Sequence, residues 1–144
     1  MPKFGKKSKS RLETCDQTIQ IIMNEAIKYM DFSIIHGHRT PEEQFEIFKQ
    51  GRSQNPQGVW VIVDPDDVLT YKDGTEKLSK HNYSPSLAVD VAPWPTLWKD
   101  KAKMLELGGV IKTVQQQLFA AGTIEALLKW GKDLWDWDEG HYEL

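Results

Sequence analysis

The sequence predicts a small α+β domain: a small antiparallel sheet with two longer helices and one short helix. Three observations point there. Apolar residues recur at helical spacing over two long stretches, one short helix is marked at both ends, and brief β-prone runs lie between them in mixed order. The 144 residues suit one domain spanning 1–144 with a real core. Residues 1–10 read as a flexible basic arm, because termini fray and Lys3, Lys6, Lys7 and Lys9 gather there.

From Arg11 to Met30, Leu12, Cys15, Ile19, Ile22, Ala26 and Met30 form one apolar helical face. "FSIIHGHR" follows as a strand, Phe32 to His38. "TPEEQFEIFKQG" is the short helix: Thr40 caps it, Pro41 takes its first position, Glu43 completes a capping box and Gly51 ends it. "GRSQNPQG" reads as a loop and "VWVIV" as a strand. "VLTYKDGTEKL" reads as a hairpin turning at Asp73-Gly74. "SLAVDVAP" is a strand, and Lys99 to Ala121 is the second long helix, with a kink expected at Gly108-Gly109 and Gly122 as its cap. The end holds a strand near Leu127 to Trp130, a loop, and a last strand, His141 to Leu144.

Composition closes several classes. The chain is 40% hydrophobic and 27% charged, as soluble domains are. No apolar run nears the roughly 20 residues of a membrane span, so stable membrane insertion is not expected. The basic start lacks the apolar centre of a signal peptide, which predicts synthesis in the cytoplasm. The single cysteine excludes an internal disulfide and a cysteine-rich zinc site. A net charge of −3 argues against nucleic acid as partner.

The chemistry starts at Asp90. On a strand, alternate side chains share a face, so Ala88, Asp90 and Ala92 point one way and Leu87, Val89 and Val91 the other. A carboxylate among apolar neighbours needs a positive partner. His81 lies behind a Ser-Pro-Ser loop that can fold it back, and "DEGH" sets Asp138 one turn before His141. Two histidines and a carboxylate match the protein ligands of a catalytic zinc, and a further carboxylate suits a general base. Spacing alone leaves chance open, since four histidines and many acids make such sets readily.

Ser79-Lys80-His81, Ala88-Val89-Asp90 and Asp138-Glu139-Gly140-His141 fall in an order that resembles the zinc peptidases cutting peptidoglycan peptides. That family holds D-alanyl-D-alanine carboxypeptidases and dipeptidases and phage L-alanyl-D-glutamate endolysins. "GHRTPEEQ" is similar to its Arg-Ser/Thr-Pro-x-x-Gln segment, and "KWGKDLW" to its Trp-Gly-Gly-Asp-Trp segment. The interval from His81 to Asp90 is two residues longer than the commonest form, and Lys132 and Leu134 interrupt the tryptophan segment.

The resemblance implies a zinc site at the sheet face, with His81, Asp90 and His141 as ligands. It implies Asp138 as the base toward the attacking water and Arg39 at the scissile carbonyl or a substrate carboxylate. Gln44, Tyr83, Trp94 and Trp137 are the candidate substrate-binding residues. The implied protein is a monomeric, Zn2+-dependent phage endolysin that hydrolyses the L-alanyl-D-glutamate amide of the peptidoglycan stem peptide. It would be made in the host cytoplasm and released to the periplasmic wall through a separate pore protein. The alternatives are a D-alanyl-D-alanine carboxypeptidase and a catalytically silent, zinc-holding wall-binding module.

Plainer roles fit the remaining features. His36 and His38 line the cleft or form hydrogen bonds. Glu143 orients a ligand or pairs with a lysine. Asp64 to Asp67 is a solvated turn lacking a full calcium loop, and Cys15 is a core residue.

Overall fold

The computed structural model describes residues 2–144. Its helices are α1 (Lys6–Leu12), α2 (Gln17–Ala26), α3 (Pro41–Phe48), α4 (Lys101–Ala120) and α5 (Gly131–Trp135). Its strands are β1 (Phe32–His36), β2 (Arg52–Gln54), β3 (Trp60–Ile62), β4 (Ala88–Pro93), β5 (Lys129–Trp130) and β6 (His141–Glu143). The main sheet is antiparallel with order β1-β4-β6-β5, and β2 and β3 form a separate antiparallel pair. This is the α+β class that the sequence predicts.

Alternation along the strands divides the sheet into two faces. Val89 and Val91 of β4, Ile34 of β1 and Tyr142 of β6 enter the core with Ile19, Ile22 and Met23 of α2 and Leu107 and Ile111 of α4. Asp90, His141 and Glu143 sit on the alternate positions. Burying the aliphatic set stabilises by roughly 1.5–3 kcal/mol per large side chain, enough to fix the register of β4. A slip of one residue would carry Asp90 into the helices.

Several elements differ from expectation. The helix expected from Arg11 to Met30 is two helices. Between them Thr14 and Asp16 bond through their backbones to Ser86, and the Asp16 carboxylate caps α2 by accepting from the Thr18 amide. The periodicity runs through the break because Leu12, Cys15 and Ile19 all reach the same core. Residues 1–10 include most of α1: Phe4 is buried edge-on against Phe32, and the Ser8 hydroxyl accepts from the Ile34 amide. The described part of the expected arm is packed.

No hairpin ladder forms around Asp73-Gly74. The Asp73 carboxylate accepts from the Thr75 and Lys77 amides, while Thr70 and Lys72 bond to Gln44 of α3. Arg52 begins a strand that pairs with Trp60–Ile62, where only a loop is expected. α4 runs unbroken through Gly108-Gly109. The tryptophan-rich stretch after Trp130 contains α5, where a loop is expected. The Thr40/Glu43 capping box of α3 and the left-handed Gly122 after α4 are present as expected.

Candidate metal centre

Each proposed ligand is held by a local device. Ser79 caps the short turn Lys80–Asn82: its hydroxyl accepts from the His81 amide, and Asn82 returns the bond by accepting from the Ser79 amide. A serine two residues before the histidine therefore sets the turn that aims it. The turn is tied to the segment between β1 and α3 by the Arg39 amide donating to the His81 carbonyl and Asn82 donating to the Arg39 carbonyl.

His81 is 1% exposed. Its Nδ1–H donates to the Gly37 carbonyl at 2.7 Å, which leaves the lone pair on Nε2. That Nε2 is buried and has no hydrogen-bond partner; Asp90 Oδ2 lies 3.3 Å away but outside bonding alignment. Glycine is required at position 37, because a Cβ there would stand 2.4 Å from the Arg11 carbonyl oxygen and from the Thr14 hydroxyl. Burial lowers the His81 pKa, and the Asp90 charge opposes this.

Asp90 occupies the middle of a row across three strands, with His36 of β1 and His141 of β6 as its register partners. Its Oδ1 lies 3.0 Å from His141 Nδ1, and its Oδ2 lies 2.8 Å from Arg39 Nη2 and 3.2 Å from His36 Nδ1. Burial alone would raise the Asp90 pKa. The nearness of the His81 imidazole and the hydrogen bonds from His141 and His36 hold it well below the usual carboxylate range.

His141 places Nε2 against Glu143 Oε1 at 2.9 Å and is covered on one side by the Trp135 ring, 5.4 Å between centroids. Burial opposes its protonation, but the bonds to Asp90 and Glu143 outweigh this and raise its pKa to about 9. Glu143 is thus the partner that orients His141, one of the two roles its spacing suggested. A carboxylate behind an imidazole fixes the tautomer that offers the other nitrogen to a metal.

The residues fit a divalent cation. One ligand atom from each of His81, Asp90 and His141 lies within 4.8 Å of the others, and the orphaned His81 Nε2 is a donor-free lone pair in a place where water does not reach it. Two imidazole nitrogens and one carboxylate form the donor set of an open, catalytic type of site.

Asp138 enters from the turn before β6. Its backbone is left-handed, φ 59°, and its carbonyl accepts from the His141 amide. Burial and then the Asp90 charge raise its pKa to about 6, against the pull of His141 and Arg39. Gly131 and Gly140 allow this packing. A Cβ at 131 would lie 2.5 Å from the Asp138 carbonyl oxygen, and one at 140 would lie 2.4 Å from the Trp98 ring.

Arg39 is brought to the site, donating to Asp90 through Nη2 and to Gln44 Oε1 through Nη1 at 3.1 Å. Gln44 stands behind it, fully buried, with its amide donating to Thr70 and Lys72. From there it can position Arg39 but cannot touch a substrate. Tyr83, Trp94 and Trp137 are 45%, 56% and 56% exposed, and Trp137 stacks tilted on Trp135 beside His141. His36 was the residue least legible in the sequence. Its signal was its strand position, which the register of β1 on β4 converts into contact with Asp90.

The sequence matches no protein-family model and no curated protein. Among solved structures, the crystal structure of the Serratia marcescens L-Ala D-Glu endopeptidase ChiX is similar over 99% of this chain and 90% of its own, with a TM-score of 0.66 at 17% identity. At that identity the likeness establishes the architecture: this chain has the fold of an L-Ala D-Glu endopeptidase.

Proposed function

We propose that the protein is a zinc-dependent peptidoglycan endopeptidase that hydrolyses the L-alanyl-D-glutamate amide of the stem peptide. The observation that carries this is the convergence of His81, Asp90 and His141, with one orphaned imidazole nitrogen, on a fold shared with an L-Ala D-Glu endopeptidase. When bound, zinc supplies Lewis acidity to the amide carbonyl and makes water a competent nucleophile near neutral pH.

The chain's own residues do the rest. Asp138, ionised above about pH 6, takes the proton of the attacking water and returns one to the leaving amine. Arg39 faces the charge that grows on the carbonyl oxygen, where a fixed cation favours the transition state over the ground state. Glu143 keeps the His141 ring in place. Exposed Trp94 and Trp137 wall the groove for the stem peptide. In the same reading the chain is a monomeric phage endolysin, made in the host cytoplasm and reaching the wall through a separate pore. Among the described residues no helix is long and apolar enough to cross a membrane.

Digesting purified sacculi and weighing the released muropeptides tests this. Whole stem peptides beginning at D-glutamate are expected, and chelation is expected to stop their release. Loss of a single terminal alanine would instead assign a D,D-carboxypeptidase. No release at all, with zinc still bound, would leave a silent wall-binding module.

A further inference from the structure

The Arg39 guanidinium occupies the place where a cation would be felt most. Asp90 Oδ2 accepts from Nη2 at 2.8 Å, and both side chains are 13% exposed. The same oxygen faces His36 Nδ1 at 3.2 Å and His81 Nε2 at 3.3 Å, while Oδ1 faces His141 Nδ1. Both oxygens of Asp90 are therefore committed within the chain. The guanidinium is not fully satisfied, because its Nε is buried without a partner. A second acceptor stands next to its present one: His36 Nδ1 is 3.3 Å from Nη2, on a ring whose side chain is half exposed.

We propose that Arg39 is the resident counter-ion of Asp90, that it competes with a divalent cation for that carboxylate, and that His36 receives the guanidinium when the cation is held. Two positive groups cannot share Asp90 Oδ2 without repulsion in a half-dry site. Without the cation His36 Nδ1 faces Asp90 Oδ2 as a donor; once the cation takes that carboxylate, the tautomer with its proton on Nε2 offers Nδ1 to the guanidinium at almost no displacement. Cation uptake and the release of Arg39 toward the cleft are then one event. By linkage each opposes the state that the other leaves. His36 is a positioning residue in this scheme, acting through Arg39. The scheme rests on the cation reading of the site and is indifferent to which amide is cut.

The test is zinc affinity, measured without substrate by competition with a chromophoric chelator. The proteins are the wild type, Arg39→Gln, Arg39→Lys, His36→Phe and the double variant Arg39→Gln/His36→Phe, with folding checked by circular dichroism. Removing the charge should tighten zinc on the order of tenfold, while Arg39→Lys should stay within about threefold of wild type, as typical coupling strengths allow. His36→Phe should weaken zinc by about threefold to tenfold in wild type and not at all beside Arg39→Gln, the pattern of a coupled pair.

Arg39→Gln binding no tighter than wild type overturns the competition. A His36→Phe loss that persists in the double variant makes His36 a direct ligand and overturns its receiving role. If Arg39→Gln does not fold, unchanged affinity in His36→Phe alone is decisive against the proposal. A wild type that takes up no zinc removes the cation reading, and this inference with it.

Discussion

At the scale of single residues, Asp138 holds two opposed demands. A half-buried carboxylate within the field of Asp90 is pushed up to about 6, so its charge is held at a cost to the fold. The sign follows from linkage. The native state keeps the proton to higher pH than the unfolded chain, so stability falls as pH rises from the ordinary 3.8 to about 6 and stays lowered above that. Asp138→Asn removes the charge and should raise the melting temperature of the metal-free protein at pH 7 by a few degrees, read by calorimetry. The same change should lower turnover by about 10²- to 10⁴-fold, the ordinary worth of a general base, with zinc content unchanged. Wild-type turnover should rise with pH along a limb at or below about 6, because a bound cation adds to the pull of His141 and Arg39. Full activity in Asp138→Asn would remove this residue from the chemistry.

At the scale of elements, the adjacent glycines of α4 show how packing decides what a sequence signal means. Gly108-Gly109 predicts a kink by propensity, yet the helix is continuous. Gly108 is the floor under Trp130, where a Cβ would stand 2.3 Å from the indole ring, whereas Gly109 has open space. Trp130 also donates from Nε1 to the Glu139 carbonyl, so its position governs the turn that carries Asp138 and His141. Gly108→Ala should destabilise by about 1–3 kcal/mol through overpacking and loosen that turn. Gly109→Ala should stabilise by about 0.5–1 kcal/mol, the ordinary gain inside a helix. Denaturant midpoints of the two variants moving the same way would contradict this account.

The same contrast explains what was legible. Caps and strand alternation act within a few residues, so Thr40, Glu43 and the two faces of β4 could be read directly. The break at Thr14–Asp16 depends on Ser86, the lost hairpin on Gln44, and the contact of His36 on a strand more than fifty residues away. Those partners are set by tertiary register, which local pattern does not carry. The convergent set His81, Asp90 and His141 was legible because its order matched a known motif; for Glu143 geometry chose between two readings, and His36 acquired its contact only through geometry.

At the scale of the molecule, the site joins parts of the chain that meet only in the folded state: the segment after β1, the Lys80–Asn82 turn, β4 and the final strand. A cation bound there adds stability by mass action, since the unfolded chain offers no such cluster. His141 makes the gain depend on pH. Its pKa is raised from 6.5 to about 9 in the metal-free fold, so its proton contributes stability that is fully present below 6.5 and lost as pH rises through about 9. Zinc and that proton compete for the same Nδ1 lone pair, so binding below about 9 expels a proton and binding above it does not. With chelator present, the melting temperature should therefore decline between pH 6.5 and 9.5. With zinc saturating it should hold or decline less, and the gap between the two curves should widen with pH. Titration calorimetry in buffers of differing ionisation enthalpy should show close to one proton released per zinc at pH 7. A gap that is constant across this range, with no proton released, would mean that His141 is not where the cation is held.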